Sequence, residues 1–163
     1  MAGFLLSVHV VAAVVFVGSV TVAVSLFPRY ARQALDDGTT DVARPALHLL
    51  HRITRVYSVL ALAVPVFGIA VGSALGVLGQ AWVQVSMLLT LVAGLLLAGV
   101  VLPRQRDLVA LADGGGAPGG RTPVRTGAPA LVRRLAMASG TFNLVWVAVV
   151  VLMIVRPGSS TGV

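Results

Sequence analysis

The residues with the widest chemical scope in this chain are its three histidines, because it has no cysteine and its only acids are five aspartates. His9 lies inside an uncharged run, Phe4–Leu26. An ionisable group in such a run is costly to bury without a partner and marks a candidate site. Met87 and Met153 fall at comparable depth in two later apolar runs. His and Met form an axial pair for haem iron, so His9 with Met87 and Met153 outlines a candidate haem or metal site. The plainer reading is a neutral imidazole bonded to a neighbouring helix or to interfacial water.

His48 and His51 form a second group. With Arg44 and Arg55 they follow helical spacing and make one stripe, suited to an anionic ligand, a haem propionate or an acidic lipid headgroup. The alternative is an interfacial anchor that reaches phosphate headgroups or pairs with Asp36, Asp37 and Asp41. His9 and Leu26 are separated by about 25 Å along a helix, so His9 lies toward one membrane face and His48 and His51 toward the other. They are not expected to ligate one iron together.

Four apolar runs must position these groups: Phe4–Leu26, Val56–Leu78, Trp82–Leu102 and Leu135–Val155. None contains Asp, Glu, Lys or Arg. Each is long enough to cross a bilayer core, about 30 Å thick, and backbone can be satisfied there only as helix. Hydrophobic residues make up 58% of the chain against 10% charged, with a mean hydropathy of +0.99. The expected fold is therefore an all-α, four-transmembrane-helix bundle forming a single membrane domain, with helices near 4–26, 45–78, 82–102 and 131–155. Gly79, Gln80 and Ala81 should join the second and third helices in a tight hairpin, with Gln80 and Trp82 at the outer boundary. Asp36, Asp37 and Gly38 mark a turn. Asp41 can cap a helix that Pro45 opens near its first turn. The Gly- and Pro-rich stretch at 113–129 reads as a flexible cytoplasmic linker, without the ending of a phosphate loop.

Eleven of the twelve arginines fall in the first and third loops, which lie on one side of a four-span chain. Positive residues stay cytoplasmic, so both termini should face outward. This placement also accounts for the net charge of +7 without nucleic acid.

Gly68, Gly72 and Gly76 give a small-residue stripe for helix packing, first within the bundle and then between copies. Pro65 should kink the second helix. Asn143 shares a face with Ser139 and suits an interhelical hydrogen bond. The absence of any acid from the spans removes the usual charge carrier of a proton- or cation-coupled transporter. No zinc-protease motif or serine-hydrolase elbow occurs.

The run HVVAAVVFVGS, the segment HRITRVYSVLALAVPVFGIAVG and the later WVQVSMLLTLVAGLLLAGVVLPRQRDLV resemble bacterial integral membrane proteins of domain of unknown function 2269. That resemblance covers most of residues 3 to 155 and implies a four-helix membrane protein with no assigned activity. The early His9 also gives a more distant likeness to copper-resistance D-type membrane proteins. His9, Gly18 and Phe27-Pro28-Arg29 loosely resemble the His…Gly…Leu-Pro-Arg order of bacterial protoporphyrinogen oxidases. The lysine that those oxidases usually carry close before that His is missing here, and position 6, near where it would fall, is Leu.

The expected function is a small, non-enzymatic accessory or assembly partner in the bacterial cytoplasmic membrane. It would work in the lipid bilayer with another membrane protein or a second copy of itself. The alternatives are a haem-binding redox or carrier protein using His9, and a copper-handling permease using His9 and Met87.

Overall fold

A computed structural model describes residues 1–36, 40–114 and 123–158. Among these residues all regular secondary structure is helical, without strands, and four helices are long and apolar enough to cross a membrane. We label them α1 (Ala2–Leu35), α2 (Thr40–Leu60 and Ala63–Ala74), α3 (Ala81–Ala112) and α4 (Pro123–Val155). The four-helix membrane bundle expected from hydropathy is present. This is a multi-pass membrane protein.

The helices run past the apolar runs that predict them. A helix of 34 residues such as α1 is about 51 Å long, roughly 20 Å more than a bilayer core. The excess lies at the arginine-bearing end. There α1 continues through Pro28 to Leu35, α2 begins at Thr40, and α3 continues to Ala112. Hydropathy finds the length of the span, whereas the intrahelical hydrogen bonds persist until a terminator is met. The start of α2 at Thr40 puts Pro45 inside the helix and Asp41 in its first turn, where a carboxylate meets the positive end of the helix dipole. The linker expected over 113–129 is shorter than that, since α4 already begins at Pro123 and carries Pro129 within it. Its segment 115–122 lies outside the described residues, as do Asp37 and Gly38 of the turn expected after α1.

Two helices change hydrogen-bond pattern midway. α1 contains a π turn at Ala13–Val17 and α3 one at Leu97–Val101. α2 is interrupted at Ala61–Leu62, one turn before Pro65. Pro65 has no N–H to offer the carbonyl of Ala61, which instead accepts from Val64 N at 3.0 Å.

The helix of α2 ends at Ala74, not at 78, because of Gly76. Gly76 takes φ +67°, Val77 N bonds Gly72 O at 3.0 Å, and Gly76 N bonds Ser73 O at 3.1 Å. These paired bonds satisfy the last carbonyls and reverse the chain. The connection to α3 therefore covers residues 75–80, longer than the expected three. At the same end of the bundle, α4 stops at Arg156, which has φ 46° and sets its guanidinium over the Trp82 ring at 5.6 Å from the centroid. Trp82 is buried and donates from Nε1 to Gln80 Oε1.

Packing is uneven along the bundle. At the arginine-bearing end, Gly18–Leu35 of α1 packs on Thr40–Leu60 of α2, on α4 and on the Leu102–Ala112 part of α3. Phe27, Ala31, Leu47, Leu108 and Leu135 are completely buried there. At the opposite end, Ala2–Ala12 packs on Ala63–Ala74 and Ala81–Leu96 packs on α4, while the two pairs touch only lightly. Side chains in the membrane gain little from leaving lipid, so hydrophobic burial is strongest where the helices project beyond it.

Gly76→Ala should lower the thermal midpoint of the protein in nanodiscs by the equivalent of about 1–2 kcal/mol, the cost of a left-handed residue with a Cβ. Gly79→Ala should leave it unchanged, because a Cβ at Gly79 meets nothing within 4 Å. Equal effects at the two sites would remove the capping role of Gly76.

Candidate functional site

His9 is locked between α1 and α2. Its Nδ1 lies 2.8 Å from the carbonyl oxygen of Val64, so Nδ1 carries the proton and donates. The ring rests on Gly68, where a Cβ would stand 2.9 Å from His9 Cε1 and 3.3 Å from Nδ1. Only glycine lets the imidazole reach that carbonyl in this position. The kink before Pro65 and the glycine one turn after it thus create one seat for one ring. Donation from Nδ1 leaves the Nε2 lone pair available in the neutral tautomer, the arrangement found in many metal-bound imidazoles.

The methionines do not join it. His9 belongs to the α1–α2 pair, whereas Met87 lies on α3 and Met153 on α4, in the other pair. Met87 is exposed at 43%. The positions share a depth without sharing a helix interface, because sequence spacing sets height along a helix and not its rotation. Among the described residues, no three of His, Cys, Asp and Glu come together as a metal site.

The stripe of Arg44, His48, His51 and Arg55 is resolved into two exposed arginines and two bonded histidines. His48 Nε2 lies 2.8 Å from Asp113 Oδ1, at the end of α3. His51 Nδ1 donates to Gln105 Oε1 at 3.2 Å. Gln105 Nε2 donates to Thr54 Oγ1 at 3.3 Å, and Thr54 Oγ1 donates to Leu50 O at 2.9 Å. Gln105 and Thr54 are completely buried. Gln105 and Thr54 each accept from the preceding residue and donate to the following one, so the bonds polarise one another. The series ties α2 to α3 in the projecting half of the bundle.

Burial lowers the pKa of His51, opposed by the bond to Gln105, and the nearby charges of Arg106 and Arg55 together with His48 lower it further. The neutral imidazole is therefore the form the folded protein prefers.

Asn143 donates from Nδ2 to Ser25 Oγ on α1 at 2.9 Å, bridging α1 and α4. The three glycines of the α2 stripe have separate neighbours. Gly68 seats His9, a Cβ at Gly72 would come within 2.6 Å of Leu78 Cδ2, and Gly76 is the helix terminator.

The sequence reading overlooked Gln105 and Thr54. Gln105 could have been found, since Val101, Gln105, Leu108 and Ala112 share one helical face and all four are buried. It also overlooked Thr90, Gly94 and Ala98, a second small-residue stripe, on the membrane-facing side of α3. Gly94 and Ala98 are exposed, and a Cβ at Gly94 meets nothing within 4 Å. Its signal was a plain i, i+4, i+8 spacing, masked by the large leucines around it.

No protein-family model, curated protein or solved structure matches this chain.

Stability should be lost as pH falls through about 6.5, the unfolded value for histidine, because the folded protein resists protonating His51 and the unfolded chain does not. Below the lowered folded pKa the loss should level off. Thermal midpoints in nanodiscs across this range should fall by a few degrees, and His51→Gln should flatten the dependence. An unchanged slope in that variant would remove His51 as its source.

Proposed function

We propose that this protein is a non-enzymatic accessory or assembly subunit that seats a transmembrane helix of another membrane protein. The observation that carries this reading is the open stripe of Thr90, Gly94 and Ala98 on α3. Small residues let two helix backbones approach closely, and packing is the main attraction between helices in lipid. The stripe lies on a helix whose most apolar window is only 22% buried within the bundle. Gly94 and Ala98 are exposed and Thr90 is half-buried. The arginine distribution supports a cytoplasmic location for the projecting half, with both termini outside.

A second reading is haem or metal ligation by His9, favoured by its unpartnered Nε2 beside a fixed Nδ1 bond. It requires an axial partner from outside the chain or from lipid-facing residues, since Met87 and Met153 sit in the other helix pair. Protein purified in mild detergent should be colourless. A Soret band that disappears in His9→Ala would establish this second reading in place of the packing role.

The principal test is purification of the tagged chain from native membranes, with the stoichiometry of co-purifying membrane chains read by mass spectrometry. Gly94→Leu should reduce the associated chain by at least about tenfold, as bulky residues do at close helix crossings. The thermal midpoint of the isolated protein should be unchanged, because position 94 faces open space. A wild-type chain that is monomeric in native membranes, or an association indifferent to Gly94→Leu, would end the proposal.

A further inference from the structure

Between α1 and α4, where α1 leaves its apolar run, lies a groove of about 350 Å³. α1 runs toward the arginine-bearing end and α4 runs away from it, so their residues pair in antiparallel register. Ser25 faces Asn143 through the 2.9 Å hydrogen bond. Arg29 and Arg32 lie one and two turns closer to the arginine-bearing end on the same face, opposite Ser139, Gly140 and Ala136.

The groove holds polar capacity that the protein does not use. Ser139 is 3% exposed and its Oγ has no hydrogen-bond partner. Asn143 Oδ1 is also buried and unpartnered, although the Nδ2 of the same amide is bonded. A buried polar atom left unpaired is uncommon and costly, and two in one groove point to a missing group. Arg29 and Arg32 are exposed and make no ion pair among the described residues. From the arginine-bearing end inward, the groove therefore offers Arg32, then Arg29 level with the Ser139 hydroxyl, then the Asn143 amide oxygen. Its walls include Val24 and Pro28, and Val22 and Leu144 on the same two helices are exposed.

We propose that this groove is a binding site for one anionic glycerophospholipid. The order of groups along it matches the order in that molecule. The phosphodiester takes charge-assisted hydrogen bonds from Arg29 and Arg32. On the membrane side of the phosphate, an ester carbonyl accepts from Ser139 Oγ–H. A water held by Asn143 Oδ1 spends its second hydrogen on the other ester, and the acyl chains leave past Val22 and Leu144. A soluble phosphate would match the arginines and leave Ser139 and Asn143 unmet. Gly140 keeps the groove open, since a Cβ there meets nothing within 4 Å.

The test uses the full chain in nanodiscs of equal phosphatidylglycerol and phosphatidylcholine, released into native mass spectrometry. One phosphatidylglycerol should be retained, about tenfold over phosphatidylcholine. Gly140→Leu, which fills the groove, and Arg29→Gln with Arg32→Gln, which removes its cations, should each abolish the preference. Arg133→Gln with Arg134→Gln, an exposed pair on α4 outside the groove, should keep it. If Gly140→Leu does not fold, the arginine pair and its control decide alone. Equal loss in the control pair would mean general attraction of the basic end for anionic lipid and would overturn the site. Retention in a folded groove variant would overturn it too. Displacement of the lipid by inorganic phosphate would make the ligand a soluble anion instead.

Discussion

The contact between Gly18–Leu35 of α1 and Thr40–Leu60 of α2 is the one on which the rest of the bundle depends. Its two segments wholly shield Val20, Val24, Phe27 and Ala31 on the first and Leu47 on the second. Small residues bring the two backbones close, and the close approach makes room for the end of α3 and the start of α4 around the same axis. Much of this seam lies in the half that projects beyond the span, where apolar surface does gain by leaving water. The other half has no such force. There the structure is two loosely associated helix pairs, and Gly94 and Ala98 of α3 are exposed.

Within this frame the polar side chains act as ties between helices. His9 fastens α1 to α2, Asn143 fastens α4 to α1, and the series from His51 through Gln105 to Thr54 fastens α2 to α3. Trp82 and Arg156 close the α3–α4 pair at the opposite end. Polar groups are expensive to leave unpaired in a low-dielectric interior, so each tie specifies one relative rotation of its two helices. The unmet atoms are then informative. Ser86 Oγ is solitary, whereas Ser139 Oγ and Asn143 Oδ1 share a groove with two arginines that make no ion pair among the described residues.

The histidines show how far chemistry can be inferred from residue type. His9 was visible as an anomaly because an ionisable group stood in an uncharged run. Its structural use depends on a kink and a glycine more than fifty residues later in the chain. His48 and His51 were visible as a stripe with Arg44 and Arg55, yet their partners Asp113 and Gln105 come from a part of α3 that hydropathy had placed beyond the helix. Gly68, Gly72 and Gly76 looked like one packing surface and serve three separate ends.

The sequence by itself determined the helical class, the number of spans, the sidedness of the arginines and the kink near Pro65. All of these follow from properties local to a segment: transfer free energy, the need to close backbone hydrogen bonds, and the missing N–H of proline. Tertiary structure alone decided how far each helix continued past its apolar run, which helices paired at each end, and which glycines stayed open. It also decided that Met87 and Met153 lie apart from His9, and that Ser25, Arg29 and Arg32 face Ser139 and Asn143. The reason is geometric. Spacing along a helix fixes height and relative azimuth, but the rotation of one helix against another is chosen by the packing and hydrogen bonds of both together.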